Sequence, residues 1–151
     1  MNKKIKAIIS ILLVIISVFA AASCARYKPS SVPVTNDWEY AEMTIRESTL
    51  TNAGLSYIIE NTSEAYTISF GADYGLEKKI DGEWYEMPLV LGGRRDVIGI
   101  SYSVLPGGSG EWHADWSERH GKLKAGEYRL IKPVTIFVTE THLLSVEFTI
   151  D

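Results

Sequence analysis

Four side chains with metal-binding chemistry lie close together in the sequence: His113, Asp115, Glu118 and His120. On a strand, His113 and Asp115 would point to the same side, and a following turn could bring His120 near them. Their spacing matches no zinc signature, because structural zinc sites usually contain cysteines or a regularly spaced histidine pair. Polar residues on the solvent side of a strand account for the cluster equally well. We therefore predict neither a metal nor a cofactor.

Two other sets of residues could contact a ligand. Trp84 and Tyr85 are adjacent and would point to opposite sides of a strand, so one of them could be exposed and stack on a sugar ring. Arg94 and Arg95 follow two glycines and form a basic loop that could meet an anionic cell-wall polymer. A packed aromatic pair and a solvated loop are the simpler explanations. We treat these four residues as candidate ligand contacts.

No set of residues indicates catalysis. The chain has three histidines and one cysteine, and its carboxylates are scattered over predicted outer faces. The Gly107-Gly108-Ser109-Gly110 run lacks the Gly-x-Ser-x-Gly pattern of a nucleophile elbow, and no Lys-Ser/Thr pair follows it as in a phosphate loop. The sequence therefore predicts that the protein is not an enzyme.

Cys24 ends an uncharged apolar run from Ala7 to Ala22, and three lysines precede that run. This is the layout of a secretory signal, with the lysines kept in the cytoplasm and the rest outside. Ala21-Ala22-Ser23-Cys24 resembles the bacterial lipobox, although Leu is usual where Ala21 stands. We expect residues 1–23 to be a lipoprotein-type signal peptide and Cys24 to carry lipid on the outer face of the cytoplasmic membrane. A secreted protein, or one anchored by an uncleaved N-terminal helix, is the alternative.

The chain after residue 23 divides into a tether and one domain. Pro29, Pro33 and the Ser30-Ser31 pair predict an extended, poorly packed tether over residues 24–37, up to about 40 Å long. Residues 38–151 are enough for a single domain. This exported part has 12 basic and 19 acidic residues, a net charge of −7. That charge argues against nucleic acid as a partner and against electrostatic docking on an anionic membrane.

Apolar and polar residues alternate repeatedly after residue 40, as they do in half-buried strands. The clearest apolar rows are Tyr66/Ile68/Phe70, Ile98/Ile100/Tyr102/Val104, Trp112/Ala114/Trp116 and Leu144/Val146/Phe148/Ile150. Asp81-Gly82 predicts a two-residue hairpin turn, and Ser117 to Gly121 a single short helical turn. The pattern predicts an all-β fold, an immunoglobulin-like antiparallel sandwich of about seven or eight strands.

The run from Leu123 to Tyr128 resembles a tyrosine corner, in which a phenol bonds to the backbone a few residues upstream. Further motifs accompany it in a fixed order: Leu76 to Tyr85, Leu105 to Gly110, Asp115-Trp116, Gly121 to Leu123, Gly126 to Arg129 and Leu143 to Ile150. Over roughly residues 40–151 this series resembles bacterial Ig-like domains found singly on exported proteins of Gram-positive bacteria, many of them lipoproteins. The resemblance implies fold and location, and it carries no catalytic residues. We expect a binding or adhesion module for an unknown protein or cell-envelope polymer, or else a carbohydrate-binding sandwich.

Overall fold

The computed structural model describes residues 27–90, 99–136 and 140–151. The predicted signal, Cys24, Arg94 and Arg95 lie outside these residues. No helix formed by the described residues has the length and apolar character needed to cross a membrane. The described elements are β1 (Lys28–Pro29), β2 (Ala41–Ile45), a 3-10 turn (Glu47–Thr49), β3 (Gly54–Asn61), β4 (Ile68–Gly71), β5 (Gly75–Ile80), β6 (Glu83–Glu86), β7 (Ser101–Val104), β8 (Ser109–Asp115), α1 (Ser117–His120), β9 (Gly126–Ile136) and β10 (Glu140–Ile150).

The strands form two antiparallel sheets. Sheet A has the order β1-β6-β5-β9-β4-β7, with β10 paired to β9 along its whole length. Sheet B has the order β2-β3-β8. The predicted all-β sandwich of the immunoglobulin-like type is confirmed. Ten strands are described where seven or eight were predicted, in part because β1 comes from the segment that we assigned to the tether.

The alternation of side chains places one face of each sheet in a shared core. On β9, Tyr128, Leu130 and Val134 are at most 1% exposed and face the sandwich interior, where Leu144 and Phe148 of β10 join them. Burial of each large aliphatic or aromatic side chain contributes about 1.5–3 kcal/mol to folding. The core also holds Ala41, Met43, Leu55, Tyr57, Ile59, Ile68, Phe70, Leu76, Val104, Ala114, Trp116 and Leu123.

The hairpin between β5 and β6 fixes the sides to which Trp84 and Tyr85 point. Asp81 and Gly82 have φ angles of 52° and 87°. Two central residues with positive φ are typical of the primed turns that join strands of a hairpin. The turn pairs Lys79 with Trp84 and places Tyr85 on the opposite face.

Residues 28–37 form a strap across the outer face of sheet A, the face turned away from sheet B. At one end β1 pairs with β6, and the Ser30 amide donates to the Trp84 carbonyl at 2.9 Å. At the other end Asn36 donates its backbone N–H to Leu143 O of β10 at 2.7 Å, and its side-chain oxygen accepts from the Ser145 amide at 2.8 Å. The described part of the predicted tether is therefore packed against the domain.

A buried ion pair lies under the strap. Glu77 on β5 and Arg129 on β9 are cross-strand neighbours that are 2% and 8% exposed. Arg129 Nε donates to Glu77 Oε2 at 2.8 Å, and the Ser30 hydroxyl donates to Glu77 Oε1 at 2.6 Å. A buried carboxylate needs all of these donors, because a charge left without them in the interior costs several kcal/mol. This requirement explains why the strap packs: the Ser30 that looks like a tether residue completes a buried polar network.

One lysine points into the core. Lys132 is fully buried among the inward-facing residues of β9. Its ammonium donates to Gly71 O at 2.6 Å and to Asp73 O at 2.5 Å, and lies 5.3 Å from the centre of the Phe70 ring. Burial lowers the pKa of Lys132 to about 8, and the nearby Asp73 offsets part of this effect. The Gly71 carbonyl at the end of β4, the Asp73 carbonyl in the following loop and the aromatic ring make a lysine tolerable there.

We predict that Tyr128→Phe lowers the free energy of unfolding by about 1–1.5 kcal/mol, the worth of one hydrogen bond. The Tyr128 hydroxyl donates to Lys124 O at 2.7 Å, closing the loop before β9. Tyr85→Phe is the matched control, since it removes the same hydroxyl from a tyrosine that is only partly buried, on β6, and should change little. Denaturant unfolding of both variants measures the difference; equal stabilities would show that the corner bond contributes nothing.

We also predict that the free energy of unfolding depends on pH through the titration of Lys132. Between pH 8 and 10.5 the unfolded chain keeps a proton on this lysine that the folded protein has released. The site's contribution to the free energy of unfolding therefore rises with pH across that window. The stability of the native chain relative to Lys132→Met should increase by about 3 kcal/mol from neutral pH to the upper end of this window. Chemical denaturation over this range tests it, with Lys122→Met on the surface as control. A constant difference would contradict the prediction.

Candidate ligand-binding groove

The predicted aromatic site is occupied by protein groups. The Trp84 ring lies on the outer face of sheet A, with Arg129 Cζ 4.6 Å and Lys79 Nζ 5.3 Å from its centre. Both distances are typical of cation–π contacts, so the ring is already in contact with two cations of the protein itself. Tyr85 lies opposite Pro29 of the strap. Trp84 and Tyr85 line one hollow of about 340 Å³ with Pro29, Ser30, Val32, Pro33, Glu83 and Arg129.

The residues with metal-binding chemistry contact different groups of the protein. His113 lies beside the Ser56 hydroxyl at 3.4 Å on the outer face of sheet B. Asp115 accepts from the backbone and side chain of Ser117, and His120 Nδ1 lies 3.0 Å from Pro88 O. Across residues 27–90, 99–136 and 140–151, no three His, Cys, Asp or Glu side chains are close enough together to hold a metal ion.

A larger groove, here called the strap groove, runs along the outer face of sheet A beside the strap. Its volume is about 390 Å³, within the usual range for ligand pockets. The apolar lining comes from the strap, from β5, from the outer side of β9 and β10 and from the segment after β6: Val32, Leu76, Met87, Leu89, Ile131, Pro133 and Leu143. Asp73, Tyr74, Glu77, Glu86, Arg119 and His120 supply polar groups at its rim.

Arg119 is held at this rim by the local structure of α1. The Asp115 carboxylate accepts from the Ser117 amide at 2.8 Å and from the Ser117 hydroxyl at 2.6 Å, and these bonds hold the start of the helical turn against the end of β8. These hydrogen bonds also lower the pKa of Asp115. The turn presents the Arg119 guanidinium over the Tyr74 ring, 5.1 Å from its centre, and Arg119 Nη1 donates to Asp73 Oδ1 at 2.9 Å.

Tyr74 is fixed in turn by sheet B. Its hydroxyl donates to Asp115 O at 2.6 Å. Burial raises the pKa of Tyr74 to about 12, with Arg119 opposing this effect, so the phenol is neutral at physiological pH. The ring is therefore a rigid, uncharged support for the guanidinium. The contact joins β8, α1 and the loop before β5.

The Arg119 Nε atom is buried and has no hydrogen-bond partner among the described residues. A buried N–H without an acceptor costs about 1–3 kcal/mol, and a ligand oxygen can supply that acceptor. The strap groove therefore combines an apolar floor with a guanidinium whose Nε–H has no acceptor among the described residues. Sequence reasoning weighed Glu118 and His120 but missed Arg119. Its contacts are with Asp73 and Tyr74, which are distant in the chain, and only the fold brings them together.

Comparison with known proteins identifies the fold family. A family model described as bacterial Ig-like domain matches residues 37–149, well over half of the chain. A search of curated proteins and a search of solved structures each found no match. The matched range begins just before β2 and ends one residue short of the end of β10, so it contains both sheets apart from β1. The chain therefore belongs to the bacterial Ig-like domain family.

Proposed function

We propose that the protein is a non-catalytic binding module, held on the outer face of the bacterial cytoplasmic membrane by lipid on Cys24. Its strap groove takes a short segment of a partner protein. The observation that carries the proposal is the Arg119 guanidinium, which is fixed by Asp73 and Tyr74 with a buried Nε–H that has no acceptor among the described residues. Pre-ordered donors of this kind bind with little entropic cost.

The chemistry of the groove favours a protein segment over a polysaccharide. Its floor is apolar, with Val32, Ile131 and Leu143 among the lining residues. A peptide offers apolar side chains for that floor and a backbone or carboxylate oxygen for Arg119, whereas a hydrophilic polymer offers only the oxygen. For the carbohydrate alternative, Trp84 would have to give up its contacts with Arg129 and Lys79. No specific observation favours that reading.

The proposed anchor rests on the N-terminal sequence. The lysines, the apolar run and the small residues before Cys24 fit a lipoprotein signal. Lipidation also gives the only cysteine of an exported chain a role, because it has no disulfide partner within the chain. Two acyl chains suffice for stable attachment to a bilayer.

We predict that Cys24→Ala prevents lipid attachment. The native chain should fractionate with membranes in its processed, acylated form, and the variant should lose both the acyl mass and the native pattern of processing. Ser23→Ala is the control, since it keeps a small residue before the cysteine. Membrane fractionation and mass spectrometry of the N-terminal peptide measure the result. If Cys24→Ala stays membrane-bound at the native size, an uncleaved helix is the anchor instead.

A second prediction concerns the groove. Arg119→Gln should reduce capture of the partner from an envelope extract about tenfold or more, since a charged hydrogen bond is lost. Arg46→Gln is the matched control, because Arg46 also pairs with a carboxylate, Glu111 of β8, but does not line the strap groove. Quantitative mass spectrometry of the captured proteins gives the ratio, and thermal unfolding checks that both variants fold. Equal capture by Arg119→Gln would exclude the groove, and capture of a muramidase-sensitive polymer would favour the envelope-polymer alternative.

A further inference from the structure

A second, smaller groove lies where the strap enters the domain, and it is basic. Its volume is about 180 Å³. We call it the lysine groove; its lining consists of Tyr27, Lys78, Met87, Pro88, Leu89, Val90, His120, Lys122, Leu123, Lys124 and Tyr128. Three lysines and no carboxylate line it, although the exported chain has seven more acidic than basic residues. The charge here is thus opposite to that of the exported chain as a whole.

The three lysines are exceptional among the described cations. Lys28, Arg46, Lys79, Arg119 and Arg129 each pair with a carboxylate. Lys132 instead donates to two backbone carbonyls in the core. Within the part of the chain that the structure describes, the remaining cations are those of the lysine groove, and none of their ammonium groups forms an ion pair with a described carboxylate. Among the described residues, the unneutralised lysines and arginines therefore lie in one place.

Each of these lysines is available to an outside anion. Lys122 and Lys124 are exposed in the loop that precedes β9. Lys78 is half-buried, and its ammonium lies 5.3 Å from the centre of the Tyr128 ring. Its stem packs close to Gly126, so the head is held at the groove rather than left to rotate freely. Three ammonium groups that line one groove, with no carboxylate in its lining, form an anion-binding surface.

The position of this groove along the chain indicates which anion it meets. Tyr27, in its lining, is three residues after Cys24. Because the strap is packed from Lys28 onward, the chain between the anchor and the groove can span at most about 11 Å. A lipid on Cys24 would place the groove beside the headgroups, within about one Debye length of the membrane surface. The long tether predicted from the sequence would have left the domain far outside that range.

We propose that the lysine groove docks on the anionic phosphate headgroups of the membrane to which the protein is anchored. This inference rests on the proposed function for the anchor. Basic residues close to an anionic bilayer each contribute about 1 kcal/mol of attraction. Docking by three lysines orients the domain on the bilayer without any need for a positive net charge. It thereby resolves the conflict between an acidic exported chain and a membrane location.

The test is amine footprinting of the full chain in vesicles. The protein is reconstituted into vesicles of phosphatidylcholine alone, or of phosphatidylcholine and phosphatidylglycerol in equal parts. It is then briefly acetylated and mapped by mass spectrometry. Labelling of Lys78, Lys122 and Lys124 should fall about threefold or more in the anionic vesicles, while Lys79, already paired with Glu127, should change little. High salt should abolish the protection.

A double variant keeps the test independent of folding. Lys122→Gln with Lys124→Gln changes two exposed side chains, and protection of the remaining Lys78 should then disappear in anionic vesicles. Lys79→Gln, as control, should leave that protection intact. Equal labelling of the native chain in the two kinds of vesicle would overturn the proposal. So would equal protection by inorganic phosphate in phosphatidylcholine vesicles, because that result assigns the groove to a free anion.

The lipid anchor on Cys24 is tested separately from the lysine groove. The mass of the N-terminal peptide shows whether Cys24 is acylated, whatever the labelling of the lysines. The footprinting is performed on whichever form of the chain is obtained: acylated, uncleaved, or soluble. A soluble form is mixed with the vesicles before labelling. An unacylated chain with anionic-vesicle protection refutes the anchor and keeps the groove. An acylated chain without protection refutes the groove and keeps the anchor.

Discussion

The buried ion pair of Glu77 and Arg129 determines how the strap packs on sheet A. Neither charge can be removed from water unless other groups of the protein supply its hydrogen bonds. The outer face of a sandwich sheet is normally solvated, yet here both residues are almost fully buried. Ser30 supplies a donor to Glu77, and the strap that carries Ser30 excludes the solvent. Removing the strap would therefore also alter both grooves. It would remove the Val32 wall of the strap groove and release Tyr27 from the lysine groove.

Local patterns in the sequence were sufficient for the sandwich itself. Period-two alternation identified the inward faces of β10 and β8, and Asp81-Gly82 identified a turn with two positive φ angles. These features depend on residues close together in the chain, so a single sequence contains them. The strap could not be predicted in this way. Pro29, Pro33 and the serine pair favour an extended backbone, and an extended backbone is equally compatible with a free tether and with a segment that pairs with β6.

The charged residues inside the structure show the same limit more sharply. Lys132 and Arg129 both occupy β9, and composition suggests that both should face water. The Lys132 ammonium instead lies between two carbonyls, one at the end of β4 and one in the loop that follows, and the Arg129 guanidinium lies between Glu77 and Trp84. Arg119 depends likewise on Asp73 and Tyr74. In each case the compensating groups come from other strands or loops. Which charges are buried is therefore a property of the tertiary fold. The strap groove could not be predicted from the sequence for the same reason.

The two grooves are neighbours, and this constrains any partner. Met87, Leu89 and His120 line both of them, so the apolar strap groove and the lysine groove share part of their walls. If the lysine groove lies on headgroups, the strap groove lies close to the bilayer, since the two share these residues. A partner segment must then approach along the membrane surface. Membrane proteins and other lipid-anchored proteins present chain segments at that height, whereas polymers in the outer layers of the envelope do not. Under the two proposals, position at the membrane surface would therefore limit the partners before their chemistry meets Arg119.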